Sequence, residues 1–573
     1  MKAYRPTIMG TRHMVAACHY LAAEAGFRIL EAGGNAIDAG VAAGITLSVV
    51  QPEYVNFAGV APIILYSVTE NRVITISGLG TWPKSLKADF FQKHHGGKIP
   101  GGVLRTVVPA APDAWITALS HWGTMTFGEV TASAIEFARD GFAVYPLMSQ
   151  IISEHADEYR MYPSNSVLYL PKGRPPLPGE IFVQSDLAST MQFMVDEERA
   201  TRGRSGREAG LRAARDAFYR GEISRRIVDF QKEHGGLLSS EDLAEYRSGI
   251  EEPVAASFGD MTLYSCGPWC QGPSLLQALN LLDAAELEKA GHNSVEYLHL
   301  ITEAVKLAFA DREVYFGDPR MVDVPIDALL SEEYTLRRRD MIDRVRAWPG
   351  MPPAGDPTPL GTKRSNRILR PERAWQAPEI DTSYVCVVDR HGNAFSATPS
   401  DNSYTAPVVP GLGIIPSCRG SQNWADPSHV SGVAPGKRPR LTPSPALAFQ
   451  RGKMVMPFGT PGGDVQTQAM LQVFLNINLF GLDVQEAVES PRVASYSFPS
   501  SFEPHAYHPG QLNLEGHIEK SVGEGLERLG HKIEWWPEWA WQAGAVCTIL
   551  ADKKTGVLKG GADPRRPSYV VGL

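Results

Sequence analysis

Residues 381–398 read Asp-Thr-Ser-Tyr-Val-Cys-Val-Val-Asp-Arg-His-Gly-Asn-Ala-Phe-Ser-Ala-Thr. The apolar run Tyr384–Asp389 predicts a buried strand, the polar run 389–393 predicts a tight turn, and Ala394–Thr398 predicts the partner strand of a hairpin. The segment before it, 348–381, contains seven prolines and three glycines. Such a segment can propagate neither a helix nor a central strand, so we expect a long exposed linker that ends at the hairpin.

Other β and helical patterns lie on both sides of this hairpin. Upstream, the first 350 residues alternate between helical patterns and short strand patterns, whereas the part downstream of the linker is dominated by hairpins. Apolar spacing predicts helices over His19–Ala32 and Ile301–Val314, and the apolar run Ala36–Val50 predicts a buried helix because it is short and contains Asp38. Two further hairpins are predicted, one pairing 446–449 with 454–458 and one pairing 545–550 with 557–561.

The composition excludes several classes of protein. A chain of 573 residues is longer than one compact core usually holds, so the length predicts two or more core-forming units. The formal net charge of −8 gives no field that would favour nucleic acid or an anionic membrane. The six cysteines are too scattered for a disulfide framework, and the N-terminus lacks a signal-peptide pattern. We therefore expect a cytoplasmic protein that binds neither nucleic acid nor membrane.

Common cofactor and metal motifs are not found in the sequence. There is no phosphate-binding Gly-x-x-x-x-Gly-Lys-Ser/Thr loop, no Gly-x-Ser-x-Gly elbow and no His-Glu-x-x-His pair. The adjacent histidines His94 and His95 stand in a glycine-flanked stretch without a further ligand nearby, which favours an ordinary surface pair. The sequence thus predicts an enzyme or binding protein that needs no metal and no cofactor.

The hairpin and thirteen further blocks are similar to the gamma-glutamyltranspeptidase family. Asp381-Thr382-Ser383-Tyr384 followed by 387–394 resembles the segment that begins the small subunit of that family. The other blocks occur in the family order over nearly the whole chain. They are 22–26, 29–39, 123–125, 138–142, 218–221, 235–238, 241–243, 303–312, 317–319, 435–439, 459–463, 491–492 and 563–565.

The resemblance implies an α+β fold of the N-terminal nucleophile hydrolase type, a four-layer αββα sandwich. It also implies a precursor, or zymogen, that cuts itself between Asp381 and Thr382. The large subunit region would be 1–381 and the small subunit region 382–573, together forming one core, with a higher oligomer possible. Thr382 would be the nucleophile, Ser400 would steady it, and backbone N–H groups at Gly462 and Gly463 would bind the oxyanion. Asn402 would contact the substrate.

The chemistry of threonine fits such a cut. A threonine hydroxyl is a poor nucleophile unless a base lies next to it. While Thr382 is inside a chain its nitrogen is an amide, which cannot accept a proton. Cleavage before Thr382 would convert this nitrogen into an α-amine with a pKa of about 8, so that nucleophile and base would belong to one residue.

The sequence departs from the family where the γ-glutamyl group is recognised. No arginine stands in 78–83, where the family holds the α-carboxylate, and 417–423 replaces the asparagine pair that meets the α-amine. Leu441-Thr442 replaces a pair of serines. Arg419, Gln422 and Thr442 are therefore candidate contacts to a different acyl group, with Arg419 a possible anion contact or, equally, a solvated loop residue.

Three functions remain open. The leading interpretation is a self-processing N-terminal-threonine amidohydrolase that cleaves a small-molecule amide of a non-glutamyl acyl group through an acyl-enzyme. The second is a γ-glutamyl hydrolase or transpeptidase whose substrate contacts come from residues that do not align. The third, from another class, is an unprocessed and inactive relative that serves in binding or assembly.

Overall fold

Two seven-stranded antiparallel sheets form the centre of the protein. The structure is a computed structural model that describes residues 3–357 and 382–573. Its strands are β1 (Ile8–Gly10), β2 (Met14–Ala17), β3 (Ile63–Ser67), β4 (Arg72–Ile76), β5 (Phe142–Ala143), β6 (Ile181–Phe182), β7 (Ile250–Glu251), β8 (Val254–Phe258), β9 (Met261–Ser265), β10 (Val385–Val388), β11 (Ala394–Ala397), β12 (Ala446–Gln450), β13 (Met454–Gly459), β14 (Val493–Ser495), β15 (Gln511–Leu514), β16 (Lys532–Trp535), β17 (Cys547–Asp552), β18 (Leu558–Ala562) and β19 (Tyr569–Gly572). Sheet I has the order β19-β2-β10-β11-β3-β4-β7, and sheet II has the order β1-β18-β17-β13-β12-β9-β8.

Helices cover the outer face of each sheet. They are α1 (Tyr20–Glu31), α2 (Ala36–Val50), α3 (Phe90–His94), α4 (Ala111–Trp122), α5 (Phe127–Asp140), α6 (Pro146–Glu154), α7 (Ala156–Met161), α8 (Pro163–Tyr169), α9 (Ser185–Ser205), α10 (Arg207–Tyr219), α11 (Glu222–Glu233), α12 (Ser240–Glu245), α13 (Gly272–Asn280), α14 (Ala284–Ala290), α15 (Val295–Tyr315), α16 (Ile326–Leu329), α17 (Glu332–Arg339), α18 (Gln466–Asn478), α19 (Val484–Glu489) and α20 (Lys520–Arg528). Helices α1, α2, α4 and α5 share a core with sheet I, and α13, α15 and α18 share one with sheet II.

The alternation of side chains along the central strands creates the layers. In β10, Val385 and Val387 join the core beneath α2, whereas Cys386 and Val388 point between the two sheets. In sheet II, Ala446 and Ala448 face the helices, and their neighbour Leu447 faces sheet I. All four strand positions of β10 are buried because apolar groups lie on both of its faces. The fold is thus the predicted α+β, four-layer αββα sandwich.

Helix α2 fixes the position of the central hairpin. Asn35 and Asp38 form a capping box at its start, and every residue from Ala36 to Val50 is buried. At Gly40 the helix touches the ring of Phe395 on β11 so closely that a Cβ would lie 2.1 Å from a ring carbon. Glycine at this position therefore lets the helix lie directly on the hairpin that begins after Thr382.

Both sheets contain strands from before and after residue 381. The hairpin β10–β11 lies between β2 and β3, with Val385 opposite Ala17 on one side and Ala397 on the other. The C-terminal strand β19 pairs with β2, and in sheet II β18 pairs with β1 while β12 pairs with β9. The regions before and after residue 381 therefore share one central pair of sheets.

Most of the local predictions are confirmed. The central hairpin, both downstream hairpins and the buried helix α2 occur where the sequence predicts them. Helix α15 begins at Val295, earlier than predicted, and residues 348–357 contain neither helix nor strand. The rest of the predicted linker, 358–381, lies outside the described residues. Among the helices that the structure describes, none has both the length and the apolar character that a membrane span requires.

Candidate active site

Thr382 lies at the entrance to β10, three residues before its first strand position. Its side chain is buried, and its backbone forms an isolated bridge with Ser400. The Thr382 Oγ1 and Ser400 Oγ atoms lie 2.8 Å apart, and the Gln466 Nε2 amide nitrogen donates to Thr382 Oγ1 at 3.4 Å. The predicted nucleophile and its predicted supporting hydroxyl are therefore in direct contact. Asp381, on the other side of the predicted cleavage site, lies outside the described residues.

Ser400 reaches Thr382 because the chain stays extended beyond β11. The backbone of Ser400 exchanges two hydrogen bonds with Val60, at 3.0 and 3.2 Å. Next to Val60, a Cβ on Gly59 would lie only 2.2 Å from the Ser400 carbonyl oxygen. Only glycine allows this approach, and the loop 54–60 thereby holds Ser400 opposite Thr382.

Gly462 and Gly463 form a sharp turn between β13 and α18. Their φ angles of +125° and +55° lie in the region that favours glycine. Within the described part of the chain neither N–H group donates a hydrogen bond. Backbone N–H groups held in this way are the donors that stabilise an oxyanion during acyl transfer. The turn leads into α18, whose first residue is Gln466, the donor to Thr382 Oγ1.

A cluster of buried polar side chains holds this turn in place. The Gln271 Nε2 amide nitrogen donates to the Gly463 carbonyl at 2.8 Å. Arg312 Nη1 donates to Gln271 Oε1 at 3.2 Å and to Asp464 Oδ1 at 2.5 Å. Asp464 also accepts from the Ser501 N–H at 2.7 Å. These contacts fix the Gly463 carbonyl and the Asp464 side chain, and so hold the C-terminal end of the glycine turn.

Arg419 is fully buried on the other side of Ser400. Its Nη2 donates to Ser400 Oγ, its Nε lies 3.1 Å from Asp401 Oδ1, and its Nη1 donates to Gln422 Oε1 at 3.4 Å. Asp401 has a φ of +127°, a strained conformation for a residue with a side chain. Ser417 Oγ donates to its carboxylate at 2.6 Å. The Cys418 thiol, whose pKa is raised to about 12 by burial and by the Asp401 charge, donates at 3.0 Å.

The predicted substrate contacts continue from Arg419. Gln422 Nε2 donates to Thr442 Oγ1 at 3.0 Å, so that Thr442, Gln422 and Arg419 form one hydrogen-bond chain that ends on Ser400. Asn402 lies two residues beyond Ser400 and is fully buried. Its Oδ1 accepts from Thr405 Oγ1 at 2.7 Å, whereas its Nδ2 has no partner among the described residues. The structure thus gathers every candidate residue into one region, apart from Asp381.

Segment 78–83, where the resemblance would place an arginine that binds a carboxylate, contains a tryptophan instead. Trp82, within 78–83, donates from its indole nitrogen to Asn423 Oδ1 at 2.8 Å. A Cβ added to Gly420 would lie only 2.4 Å from a carbon of the Trp82 indole ring. The tryptophan is buried against the segment 417–423. Two sites of departure from the family pattern therefore pack against each other.

Two residues at the site were missed by the sequence analysis. Gln466 contacts Thr382 and Asp401 holds Arg419, but neither stands in a block that the resemblance singles out. Their positions gave a signal, because Asp401 lies between Ser400 and Asn402 and Gln466 follows the glycine pair at the start of a helix. Both residues could therefore have been found among the sequence neighbours of the predicted site residues.

One cluster of metal-ligand residue types is present in the described ranges. His299, Glu303 and His531 are buried together, and their ligand atoms lie within 4.8 Å of one another. The His299 Nδ1 and His531 Nε2 atoms lie 2.9 Å apart, as in a hydrogen bond. The Lys306 ammonium lies 2.5 Å from Glu303 Oε1, where it would repel a metal cation. The contacts favour a hydrogen-bonded network that holds Trp348, whose N–H donates to Glu303 at 3.2 Å.

The layers and the threonine at the head of a central strand define a class. Two facing antiparallel sheets between helical layers, with a buried hydroxyl at the start of a central hairpin, are the architecture of N-terminal nucleophile hydrolases. The chain belongs to the gamma-glutamyltranspeptidase family, whose model matches residues 22–573. It is accordingly an enzyme of the amidohydrolase and acyltransferase type.

Full-length relatives carry names of two kinds. The chain is 31% identical over 568 residues to the "Acylase ACY 1 proenzyme" of Pseudomonas sp. (strain SE83), covering 96% of this chain and 92% of that protein. It is 29% identical over 570 residues to the "Glutathione hydrolase-like YwrD proenzyme" of Bacillus subtilis (strain 168), covering 99% of each.

Solved structures also match the whole chain. The structure of LmbA2991HD has a TM-score of 0.92 and 34% identity, covering 100% of both chains. The cephalosporin acylase from Bacillus halodurans has a TM-score of 0.84 and 28% identity, covering 100% of this chain and 98% of that one. The similarity extends through both sheets and both helical layers.

Proposed function

We propose that this protein is a self-processing amidohydrolase whose nucleophile is Thr382. The precursor cuts itself between Asp381 and Thr382, and the mature enzyme hydrolyses an amide of a non-glutamyl acyl group through an acyl-enzyme. The observation that carries this proposal is the contact of Thr382 Oγ1 with Ser400 Oγ at 2.8 Å and with Gln466 Nε2 at 3.4 Å. A hydroxyl buried among donors at the head of a strand is poised for attack.

The proposed reaction uses the residues already placed at the site. After cleavage the α-amine of Thr382, with a pKa of about 8, takes the proton from the hydroxyl of the same residue. The alkoxide oxygen attacks the amide carbon, and the N–H groups of Gly462 and Gly463 donate to the resulting oxyanion. The oxyanion then collapses, and the C–N bond breaks as the protonated α-amine gives its proton to the leaving amine. Water attacks the resulting ester while the α-amine takes a proton from it; the bond to Thr382 Oγ1 then breaks as that proton passes to the hydroxyl, and the acid is released.

The proposed acyl specificity follows from the surroundings of Ser400 and Asn402. The Nδ2 group of Asn402 is a buried donor with no partner in the described ranges, and a substrate oxygen would satisfy it. Trp82 and Gln422 occupy segments where a glutamate reader would need charged groups. A compact acid amide or an acylated amine fits this pattern better than a γ-glutamyl group, and two acylases are among the similar proteins.

Two subunits from one precursor are compatible with the sheets. After a cut before Thr382, the region 1–381 would still supply β2 and β3 on either side of the hairpin β10–β11. The region 382–573 would remain held by backbone hydrogen bonds to both neighbours. We therefore propose a large subunit of 1–381 and a small subunit of 382–573 that stay associated.

Intact mass spectrometry of the purified protein, beside a Thr382→Ala control, tests the proposal. Cleavage should divide the 62.5 kDa chain into fragments of roughly 42 and 21 kDa, in proportion to their 381 and 192 residues. The smaller fragment should begin with threonine. A single uncut mass that persists for days in the wild type would contradict the proposal and support an unprocessed binding or assembly protein.

A comparison of substrates distinguishes an amidohydrolase for a non-glutamyl acyl group from a γ-glutamyl hydrolase or transpeptidase. Hydrolysis of a γ-glutamyl p-nitroanilide should be slower than hydrolysis of anilides that carry short dicarboxylic or neutral acyl groups. The reason is that a site loses much of its discrimination when the partners of a substrate charge are absent. Fast turnover of the γ-glutamyl compound would overturn the proposed specificity and leave the nucleophile in place.

A further inference from the structure

We propose that Arg419 is a positioning residue that acts on Thr382 through Ser400 and does not bind the substrate. Its guanidinium fixes the direction of the hydrogen bond between the two hydroxyls and places a positive charge behind the nucleophile. This inference rests on the proposed role of Thr382 as the nucleophile. It gives Arg419 a function different from the anion contact that the sequence suggested.

The direction of each hydrogen bond follows from what each group can do. A guanidinium can only donate, so the contact from Arg419 Nη2 occupies a lone pair of Ser400 Oγ. The hydroxyl proton of Ser400 is then directed along the 2.8 Å contact toward Thr382 Oγ1. Thr382 Oγ1 thus acts as an acceptor, and its own proton is left to point toward the α-amine that cleavage creates.

Gln466 supports the same direction from the other side. Its Nε2 group can only donate, and it approaches Thr382 Oγ1 at 3.4 Å. Two donors on one hydroxyl oxygen stabilise the negative charge that develops as the proton leaves. The guanidinium strengthens the Ser400 donor because a hydrogen bond next to a full charge is stronger than one between neutral groups.

The contacts of Arg419 argue against direct substrate binding. The Nε atom lies 3.1 Å from Asp401 Oδ1, Nη1 donates to Gln422 and Nη2 donates to Ser400, so each of the three nitrogens lies against an oxygen of the protein. The residue is fully buried, and its charge is balanced by Asp401. Asp401 in turn is held by Ser417 and Cys418, which makes the arrangement rigid.

Burial moves the pKa values of several groups around Thr382 away from neutral pH. The titratable and charged groups on the elements packed around Thr382 are Cys18, His19, Glu53, Tyr54, Tyr145, Arg312, Tyr384, Cys386, Asp401, Cys418, Arg419, Asp464, Cys547 and Arg566. Burial lowers the pKa of His19 to about 3 and raises the pKa values of Tyr145 and Tyr384 well above their usual range. Burial also raises the pKa values of the Cys386, Cys418 and Cys547 thiols. The acid limb of the pH profile should therefore report the α-amine of Thr382.

Arg419→Gln and Arg419→Lys test the inference, with Arg215→Gln as the matched control. Arg215 is also a buried, ion-paired arginine, but it lies on α10 and pairs with Asp113 in the helical layer. Three quantities are measured for each variant. They are the rate of self-cleavage, kcat and KM on anilides with a neutral and a carboxylated acyl group, and the acid limb of kcat/KM.

The expected result for Arg419→Gln is a loss of about 10²-fold in kcat and in the self-cleavage rate, since removal of one preorganised charge-stabilising donor has effects of this size. KM should stay within about twofold on both anilides, because substrate binding is not involved. The acid limb should move up by as much as about one pH unit when the positive charge behind the amine is removed. Arg419→Lys should lie between the wild type and the glutamine variant.

Three outcomes would overturn the inference. One is a KM increase restricted to the carboxylated anilide with an unmoved acid limb, which would assign Arg419 to the substrate. Another is an equal loss of kcat in Arg215→Gln, which would indicate a general structural effect. The third is a lysine variant whose pH profile coincides with that of the glutamine variant, which would exclude the charge. Failure of the proposed function is distinguished separately, by a wild type that stays uncut or by an active Thr382→Ala protein.

Discussion

The two sides of the candidate site differ in how they are built. On the nucleophile side, Thr382 is placed by sheet pairing, by the loop at Gly59 and by the glycine turn at Gly462, which are backbone features. On the acyl side, Asn402 and the hydrogen-bond chain through Gln422 present side chains. Backbone positions tolerate few substitutions, whereas side chains can be exchanged while the fold is kept. The difference teaches that groups held by backbone geometry can be retained while the side chains beside them are exchanged.

The largest expected effect comes from removing the nucleophile. Thr382→Ala should lose self-cleavage and at least about 10⁴-fold in kcat, because the attacking atom is absent. Thr382→Ser keeps a hydroxyl at the same contact with Ser400 and should retain part of both activities. Intact mass and single-turnover kinetics provide the measurements. An alanine variant that still cuts itself would place the nucleophile elsewhere.

The ion pairs behind the glycine turn should control acid stability. Burial raises the pKa of Glu313, but the charges of Arg440 and Arg312 outweigh burial and lower the pKa to about 2. The ordinary pKa of a glutamate is 4.5, so this stabilisation is complete above pH 4.5 and is lost as the pH falls toward 2. The shift corresponds to roughly 3 kcal/mol of unfolding free energy.

Urea unfolding at several pH values between 7 and 2.5 measures that contribution. In the wild type the unfolding free energy should fall with a steeper slope below pH 4.5 than in Glu313→Gln. The variant should be less stable at pH 7, because buried Arg440 loses its carboxylate partner and buried Arg312 keeps only Asp464. Parallel pH curves for the two proteins would contradict the assignment.

The hairpin beside Thr382 was the part that the sequence predicted well. The hairpin after Thr382 was predicted because apolar residues on both faces of β10 produce a continuous buried run in the sequence. The pairing of β10 with β2, and of β19 with β2, could not be predicted, since contacts between distant segments leave no local period. The four-layer sandwich was therefore predicted from the resemblance to a family and not from the pattern of residues.

The acyl side was predicted less completely. Gln422 and Thr442 were selected only because they replace family residues, and the hydrogen bond between them depends on how two loops meet. Asp401 was missed because its positive φ and its contact with Arg419 have no signature in the sequence. Rotamers and loop contacts set the specificity of such a site, and a single sequence does not encode them in a form that can be read locally.

A glycine pair of variants tests whether the nucleophile side depends on backbone geometry. Gly462→Ala should lower kcat by about 10²-fold, because a Cβ at a φ of +125° shifts the N–H donors of the turn. Gly452→Ala is the control, since Gly452 also has a positive φ of +71° but lies in the open turn between β12 and β13. Both should lose about 1–3 kcal/mol of stability from backbone strain.

Kinetics and thermal unfolding of the two glycine variants distinguish strain from catalysis. If the proposal is right, the two proteins unfold at similarly reduced temperatures, but only the Gly462 variant loses kcat. Self-cleavage of the Gly462 variant should also slow, because the same donors would stabilise the oxyanion of the scissile peptide. Equal kcat in both variants would contradict the proposed role of this turn in binding the oxyanion.

The smallest expected effect lies on the acyl side. Asn402→Ala removes a buried amide whose Nδ2 has no partner among the described residues, so KM should rise about tenfold for a substrate oxygen that binds there. Self-cleavage should stay near the wild-type rate, since Thr382, Ser400 and the glycine turn are unchanged. A panel of anilides with different acyl groups provides the measurement. Thr405→Val is the control, because it removes the hydroxyl that donates to Asn402 Oδ1 and to Cys418 Sγ but keeps the backbone N–H that also donates to Asn402 Oδ1. A kcat loss that is equal for every acyl group, with KM unchanged, would indicate that Asn402 acts on Thr382 and not on the acyl group. It would then contradict the division between the two sides at this residue.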